Sequence, residues 1–167
     1  SCVPNSRIEL VDVGLNPTRT GSLEVLKRMG ADVRAEVTDD GWEPRGTVRA
    51  ASRPLQATTV TAAEVPGVID ELPILMVAAA CAAGISRFQG IGELRVKETD
   101  RLKSMMDGLQ CLGARVRVAS PDTVEIEGGP LKCGDVFAAR DHRTAMSLAV
   151  AGLVATGGPT TIRGAEC

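Results

Sequence analysis

Three short stretches of this 167-residue chain gather the groups able to move protons or hold anions. The densest runs from Glu93 to Arg101, where Glu93, Arg95, Lys97, Glu98, Asp100 and Arg101 interleave carboxylates with cations. Read as the start of a helix over about Glu98–Leu112, its residues three or four apart share a side, so Glu98 and Lys97 both face Arg101. Glu98 also falls on the apolar stripe of that helix, which predicts an inward carboxylate. Burial raises such a group toward the range of a useful general acid, while the helix N-terminus, Lys97 and Arg101 pull it down. Sequence leaves that balance open. The plainer reading is a solvated, salt-bridged helix start.

The second stretch, Arg140-Asp141-His142-Arg143, opens another helix and contains the one histidine of the chain. Arginines at a helix N-terminus, where free N–H groups already favour anions, suit phosphate or carboxylate. The plain alternative is an Asp141 N-cap with surface arginines. Asp70, ahead of an apolar helix, is the third candidate. It is either another N-cap or, as the repeat counterpart of Asp141, part of a pair of helix starts converging on one anionic ligand. Arg19, in the turn Asn16–Gly21, reads as an incidental surface charge. Gly-rich phosphate loops, a Ser/His/Asp triad and paired metal ligands are absent, and a lone histidine with scattered cysteines makes no metal site.

Four helices must position these groups. They are expected over about Ser22–Met29, Glu71–Ala83, Glu98–Leu112 and His142–Ala155, each followed by glycine. The second is apolar on every side (LPILMVAAACAA) and belongs in the middle of a domain; Pro73 in its first turn does no harm. The third carries Leu102, Met105, Met106, Leu109 and Leu112 on one stripe. Strands are expected over Arg7–Val13, Ala31–Val37, Thr47–Ala51, Ala57–Val60, Ser86–Gly90, Ala114–Val118, Thr123–Glu127, Asp135–Ala138 and Thr160–Arg163. The class is therefore α/β or α+β.

The chain also echoes itself. Leu26–Arg34 (LKRMGADVR) and Leu109–Arg117 (LQCLGARVR) share Leu, Gly, Ala, Val and Arg at matching places. Asp70 and Asp141 each open an apolar helix that ends in glycine and passes to a strand. Such repetition predicts βαβαββ units over about 7–52, 56–128 and an incomplete 133–167. The chain reads as cut at both ends, a piece of something longer.

Composition sets the outer bounds. Hydrophobic residues make up 44%, yet Phe88, Phe137 and Trp42 are the only aromatics, so Val, Leu, Ile, Ala and Met build the core. A net charge of −2 without a long basic run speaks against nucleic acid. The longest apolar run, Leu72–Ala83, is too short to span a bilayer. Five cysteines (Cys2, Cys81, Cys111, Cys133, Cys167) without CxxC spacing suit free thiols in a reducing compartment.

The stretches GLNPTRTG (14–21), LKRMGAD (26–32), IDELPIL (69–75), LRVKETDR (94–101) and DHRTAM (141–146) resemble, in the same order, those of EPSP synthases (3-phosphoshikimate 1-carboxyvinyltransferases). The resemblance runs from about Val3 to Cys167, and LRVKETDR and DHR-x-AM are its most specific parts. It implies transfer of enolpyruvyl from phosphoenolpyruvate to the 5-hydroxyl of shikimate 3-phosphate, without cofactor or metal. It implies Asp70 as the base at the shikimate hydroxyl and Glu98 as the group that moves the methyl proton. Lys97 is implied at the shikimate 3-phosphate, Arg101 and Arg143 around phosphoenolpyruvate with His142 beside them, and Glu93, more weakly, where some members have a shikimate-contacting Asn. The implied fold is part of one globule of a two-domain, inside-out α/β barrel, with the active site in the cleft between globules. With the other globule missing, the fragment by itself is expected to be inactive. UDP-N-acetylglucosamine enolpyruvyl transferase is the alternative enzyme, against which LRVKETDR argues. A non-catalytic domain that self-associates is the alternative of another class. No nucleic-acid or membrane partner is expected, and the location is cytoplasm for a bacterial source or plastid for a plant.

Overall fold

The structure, a computed structural model, describes residues 2–166. Its elements follow in the order β1 (Arg7–Gly14), α1 (Gly21–Arg28), β2 (Asp32–Asp39), β3 (Arg45–Ala51), β4 (Thr59–Val60), α2 (Leu72–Ala80), β5 (Ile85–Phe88), α3 (Arg101–Cys111), β6 (Arg115–Ser120), β7 (Thr123–Glu127), β8 (Asp135–Phe137), α4 (His142–Val154) and β9 (Thr161–Arg163). Short 3₁₀ turns at Val65–Gly67 and Gly92–Val96 precede α2 and α3.

Among the described residues the strands form three separate sheets, ordered β1-β3-β2, β4-β5-β7-β6 and β8-β9. In the first, β3 pairs antiparallel with both neighbours. The same arrangement recurs as β5-β7-β6 in the second, to which β4 adds a parallel edge. A parallel pair also makes up the third sheet. Charges lock the centre of each larger sheet in opposite senses. Arg49 on β3 bridges Glu9 of β1 and Glu36 of β2. On β7, Glu125 takes Arg87 from β5 and Arg117 from β6.

Helices α2, α3 and α4 pack against one another in the middle, with the sheets outside them. The uniform apolarity of α2 explains its place: Leu72, Leu75, Met76, Val77, Ala79 and Ala80 are all buried. A helix with no polar face is stable only where every side meets apolar neighbours. Along α3, Leu102, Met105 and Leu109 turn into the same core, joined by Leu112, while Met106 is half-buried.

The sequence echo has a conformational basis. Helix α1 ends with Gly30 at φ 84° and α3 with Gly113 at φ 85°. Gly30 N–H donates to Lys27 O and Ala31 N–H to Leu26 O. Gly113 to Gln110 and Ala114 to Leu109 repeat that pair of bonds. Both are Schellman stops, which need a left-handed residue where glycine avoids a Cβ clash.

One expected boundary moves with consequences for chemistry. The third helix begins at Arg101, not Glu98, because Asp100 caps it: the Asp100 carboxylate accepts the Lys103 N–H at 2.8 Å. Helical spacing therefore does not apply to Lys97 or Glu98. Of the cysteines, Cys2, Cys81, Cys111 and Cys133 are free thiols, whereas Cys167 lies outside the described residues.

Candidate active site at three helix starts

The packing of α2, α3 and α4 brings their first turns together, and the charged stretches sit there. Arg101, the first residue of α3, has a side chain only 1% exposed. Its Nε donates to Asp141 Oδ2 at 3.0 Å, Nη2 donates to Glu98 and lies 2.9 Å from Asp141 Oδ2, and Nη1 stands 3.9 Å from Asp70 Oδ1. A guanidinium taken out of water is tolerable only with such pairing.

Asp141 does two tasks. One oxygen caps α4 by accepting the Thr144 N–H at 2.9 Å and the other holds Arg101. Burial, the largest single influence, pushes its carboxyl up. The N–H of Thr144, the hydrogen bond and charge of Arg101 and the N–H of Arg143 outweigh it, so the group lies below the usual aspartate range. The chain reaches this position through two consecutive left-handed residues, Ala139 and Arg140, at φ 54° and 58°. Neither is glycine, so the turn stores strain. Backbone bonds hold it, from Arg140 N–H to Gly164 O and from Asp141 N–H to Ala138 O.

Asp70 is not the cap of α2. That position falls to Glu71, which makes no side-chain capping bond. The Asp70 carboxylate faces arginines instead: Arg143 Nη2 at 3.2 Å, Arg19 Nη2 at 3.6 Å and Arg101 at 3.9 Å. Arg143 Nη1 also donates to the Asp70 backbone oxygen at 2.9 Å, fixing α4 against the approach to α2. Beside them an open cavity of about 240 Å³ is walled by Asp70, Arg143, Ile74, Met146 and Val150. A larger one, about 450 Å³, lies on the first sheet among Arg7, Glu9, Asp32, Arg34 and Arg49, and holds none of these groups.

Of the expected site residues, the structure thus brings together Asp70, Glu98, Arg101 and Arg143. The inward orientation expected of Glu98 is corrected. Its side chain is 60% exposed, because it precedes the helix and reaches back to Arg101 from the surface. Lys97 does not share a side with Arg101. It follows the 3₁₀ turn in extended conformation and pairs with Glu93. His142 is exposed on the first turn of α4. Two participants escaped sequence reasoning. Arg19 reads from the sequence as an incidental charge, although the turn carrying it lies against the segment before α2: a Cβ on Gly21 would meet Gly67 O at 2.8 Å. Asp141 read as a cap, and its second task depends on the α3–α4 contact.

The arrangement can bind and polarise. Asp70 and Glu98 offer two carboxylates able to move protons, while Arg19, Arg101 and Arg143 offer cations to a phosphate or carboxylate. Among the described residues no group of three or more His, Cys, Asp or Glu side chains could hold a metal. No helix there is long and apolar enough to cross a membrane.

Comparison with known proteins points the same way. The family profile described as EPSP synthase (3-phosphoshikimate 1-carboxyvinyltransferase) matches residues 2–167. Curated proteins named 3-phosphoshikimate 1-carboxyvinyltransferase from Synechococcus sp. (strain JA-3-3Ab) and Gloeobacter violaceus are each 48% identical over 169 aligned residues. All of this chain is covered, against 38% and 39% of theirs. The chain thus spans under two-fifths of the length of these relatives. A solved structure of EPSP synthase from Acinetobacter baumannii superimposes with a TM-score of 0.90 at 41% identity, covering 97% of this chain and 38% of that one. The enolpyruvyl transferase NikO from Streptomyces tendae, 23% identical, shares the fold with a TM-score of 0.72 over 99% of this chain and 37% of its own.

Proposed function

The chain belongs to the EPSP synthase family, and from that premise we propose that it forms one wall of an enolpyruvyl-transfer site. The observation that carries the reading is the meeting of Asp70 with Arg19, Arg101 and Arg143, all within 4 Å, at the starts of three helices.

In this reading Asp70 takes the proton from the 5-hydroxyl of shikimate 3-phosphate as that oxygen bonds to the central carbon of phosphoenolpyruvate. Glu98 gives a proton to the methylene carbon, which becomes a methyl group in a tetrahedral intermediate. Glu98 then removes a methyl proton as the carbon–phosphate oxygen bond breaks, leaving the enolpyruvyl ether and phosphate. Arg101 and Arg143 hold the anionic groups of phosphoenolpyruvate, with His142 alongside. Lys97 neutralises the 3-phosphate of shikimate 3-phosphate, with Glu93 at the margin. Glu98 and Asp70 already stand on the guanidinium of Arg101, so an arriving phosphoenolpyruvate competes with them, and Glu98, released from the ion pair, takes up a proton from solvent before it meets the methylene carbon. Asp141 keeps Arg101 aimed throughout. Residues 7–52, 56–128 and 133–167 form one complete and two partial βαβαββ units in the same reading. The order β4-α2-β5-α3-β6-β7 supports the complete one. A cytoplasmic place of action accords with the bacterial relatives.

The test is phosphate release from phosphoenolpyruvate plus shikimate 3-phosphate, by the chain alone and after mixing with the missing portion of a relative. Turnover is expected only on mixing, and is expected to fall by about 10²- to 10⁴-fold in Glu98→Gln or Asp70→Asn. Turnover by the chain alone, or undiminished turnover in both variants, defeats the reading. A second reading, self-association of the isolated chain, draws on Met146 and Leu153, which α4 leaves 60% and 70% exposed. Mass measured across a range of concentrations decides it.

A further inference from the structure

Away from the helix starts, two thiols far apart in sequence meet. Cys2 precedes β1, and Cys81 is the C-cap residue of α2. Both are half-buried against the apolar core, and each thiol's acidity is governed chiefly by the other. They line one cavity of about 340 Å³ together with Asn5, Ser52 and Arg53. Arg53 is exposed and makes no ion pair among the described residues. An open cavity lined by two thiols and an exposed arginine can admit a small anionic reagent that reacts with sulfur.

We propose that Cys2 and Cys81 are a reversible redox pair, joined as an intramolecular disulfide by thiol–disulfide exchange with a small anionic disulfide of the oxidised-glutathione class. Cys2, as thiolate, attacks one sulfur of the reagent. The reagent's S–S bond breaks, one reagent thiolate leaves, and Cys2 carries a mixed disulfide. Cys81 then loses its proton to solvent and attacks the Cys2 sulfur, expelling the second reagent thiolate. Two protein thiols are oxidised to one disulfide, and one reagent disulfide is reduced to two thiols.

The order of attack follows from the contact. Its hydrogen bond from Cys81 is the largest influence on Cys2 and outweighs burial, bringing that thiol down to about 7. The same bond, with burial, pushes Cys81 up. The more acidic thiol is the nucleophile and the other resolves the adduct. Of the other described cysteines, Cys111 donates to Asp135 O at 3.2 Å and Cys133 lies by Gly157 and Gly158, both outside this cavity. Oxidation would tether the segment before β1 to the C-terminal end of α2, the helix that starts just after Asp70.

The experiment treats the full chain under native conditions with oxidised glutathione, then alkylates and digests it with trypsin. Peptides 1–7 and 50–87 are expected joined, with two thiols lost and a thermal midpoint raised by about 5–10 °C that dithiothreitol reverses. Cys81→Ser should accumulate glutathione on Cys2, whereas Cys2→Ser should leave Cys81 unmodified. A cross-link that forms only in urea, or a glutathione adduct that persists on Cys2 of the unaltered chain, overturns the proposal. Stable modification of Cys81 in Cys2→Ser overturns the order of attack.

Discussion

Within the cluster at the helix starts, Arg101 and Asp141 have side chains 1% and 0% exposed, whereas Asp70 and Arg143, close by, keep 28% each. Both pairs join a carboxylate to a guanidinium at similar distances, so composition does not separate them. Their surroundings do. The covered pair caps α4 and joins it to the start of α3, and its charges exist only because each satisfies the other. The open pair has solvent on one side and can exchange partners at little cost. Scaffold and chemistry are thus divided between two ion pairs, with Arg101 touching both.

Four measurements can break or sharpen that division. The largest effect is expected for Arg101→Met, which strands Asp141 in a buried site: a loss of about 3–5 kcal/mol of unfolding free energy in urea titrations. A loss under about 1 kcal/mol would erase the distinction between the halves. Next is acid. Asp141 is held below the usual aspartate range in the fold, so unfolding takes up a proton. Its contribution is whole above the unfolded value of about 3.9 and is lost as pH falls through the lower, folded value. Stability followed from pH 5 downward should show that component, and Asp141→Asn should lack it. Smaller is the coupling of Asp70 with Arg143: a double-mutant cycle with Asp70→Asn and Arg143→Met should give about 1 kcal/mol or less. Smallest is Glu98→Gln, expected to shift stability by no more than about 0.5 kcal/mol in either direction. A larger shift would make Glu98 part of the scaffold.

Much of this was legible in the residues. Periodicity and glycine stops located the four α-helices of the described residues, because apolar stripes and left-handed C-caps are local properties, and short alternating runs located their nine strands. The family followed from LRVKETDR and DHRTAM, and the family profile bears it out. What stayed hidden is long-range. The start of α3 depended on which acid captured the Lys103 N–H, and choosing Glu98 over Asp100 turned an exposed carboxylate inward on paper. Arg19 meets Asp70 because a turn beside α1 packs on the segment before α2, which no spacing in the sequence records. The second task of Asp141 likewise exists only once α3 and α4 are side by side.

The division of the strands into three sheets bears on how the chain acquires its shape. The ladders of the first sheet lie within residues 7–51, those of the second within 59–127 and those of the third within 135–163. The hairpins β2-β3 and β6-β7 are local, whereas β1-β3 and β5-β7 close larger loops inside the same stretch, a cost that grows only slowly with loop length. The helix starts are put together differently. Their contacts cross from one stretch to another, so the charged cluster exists only where the stretches carrying Arg19, Asp70, Arg101, Asp141 and Arg143 meet.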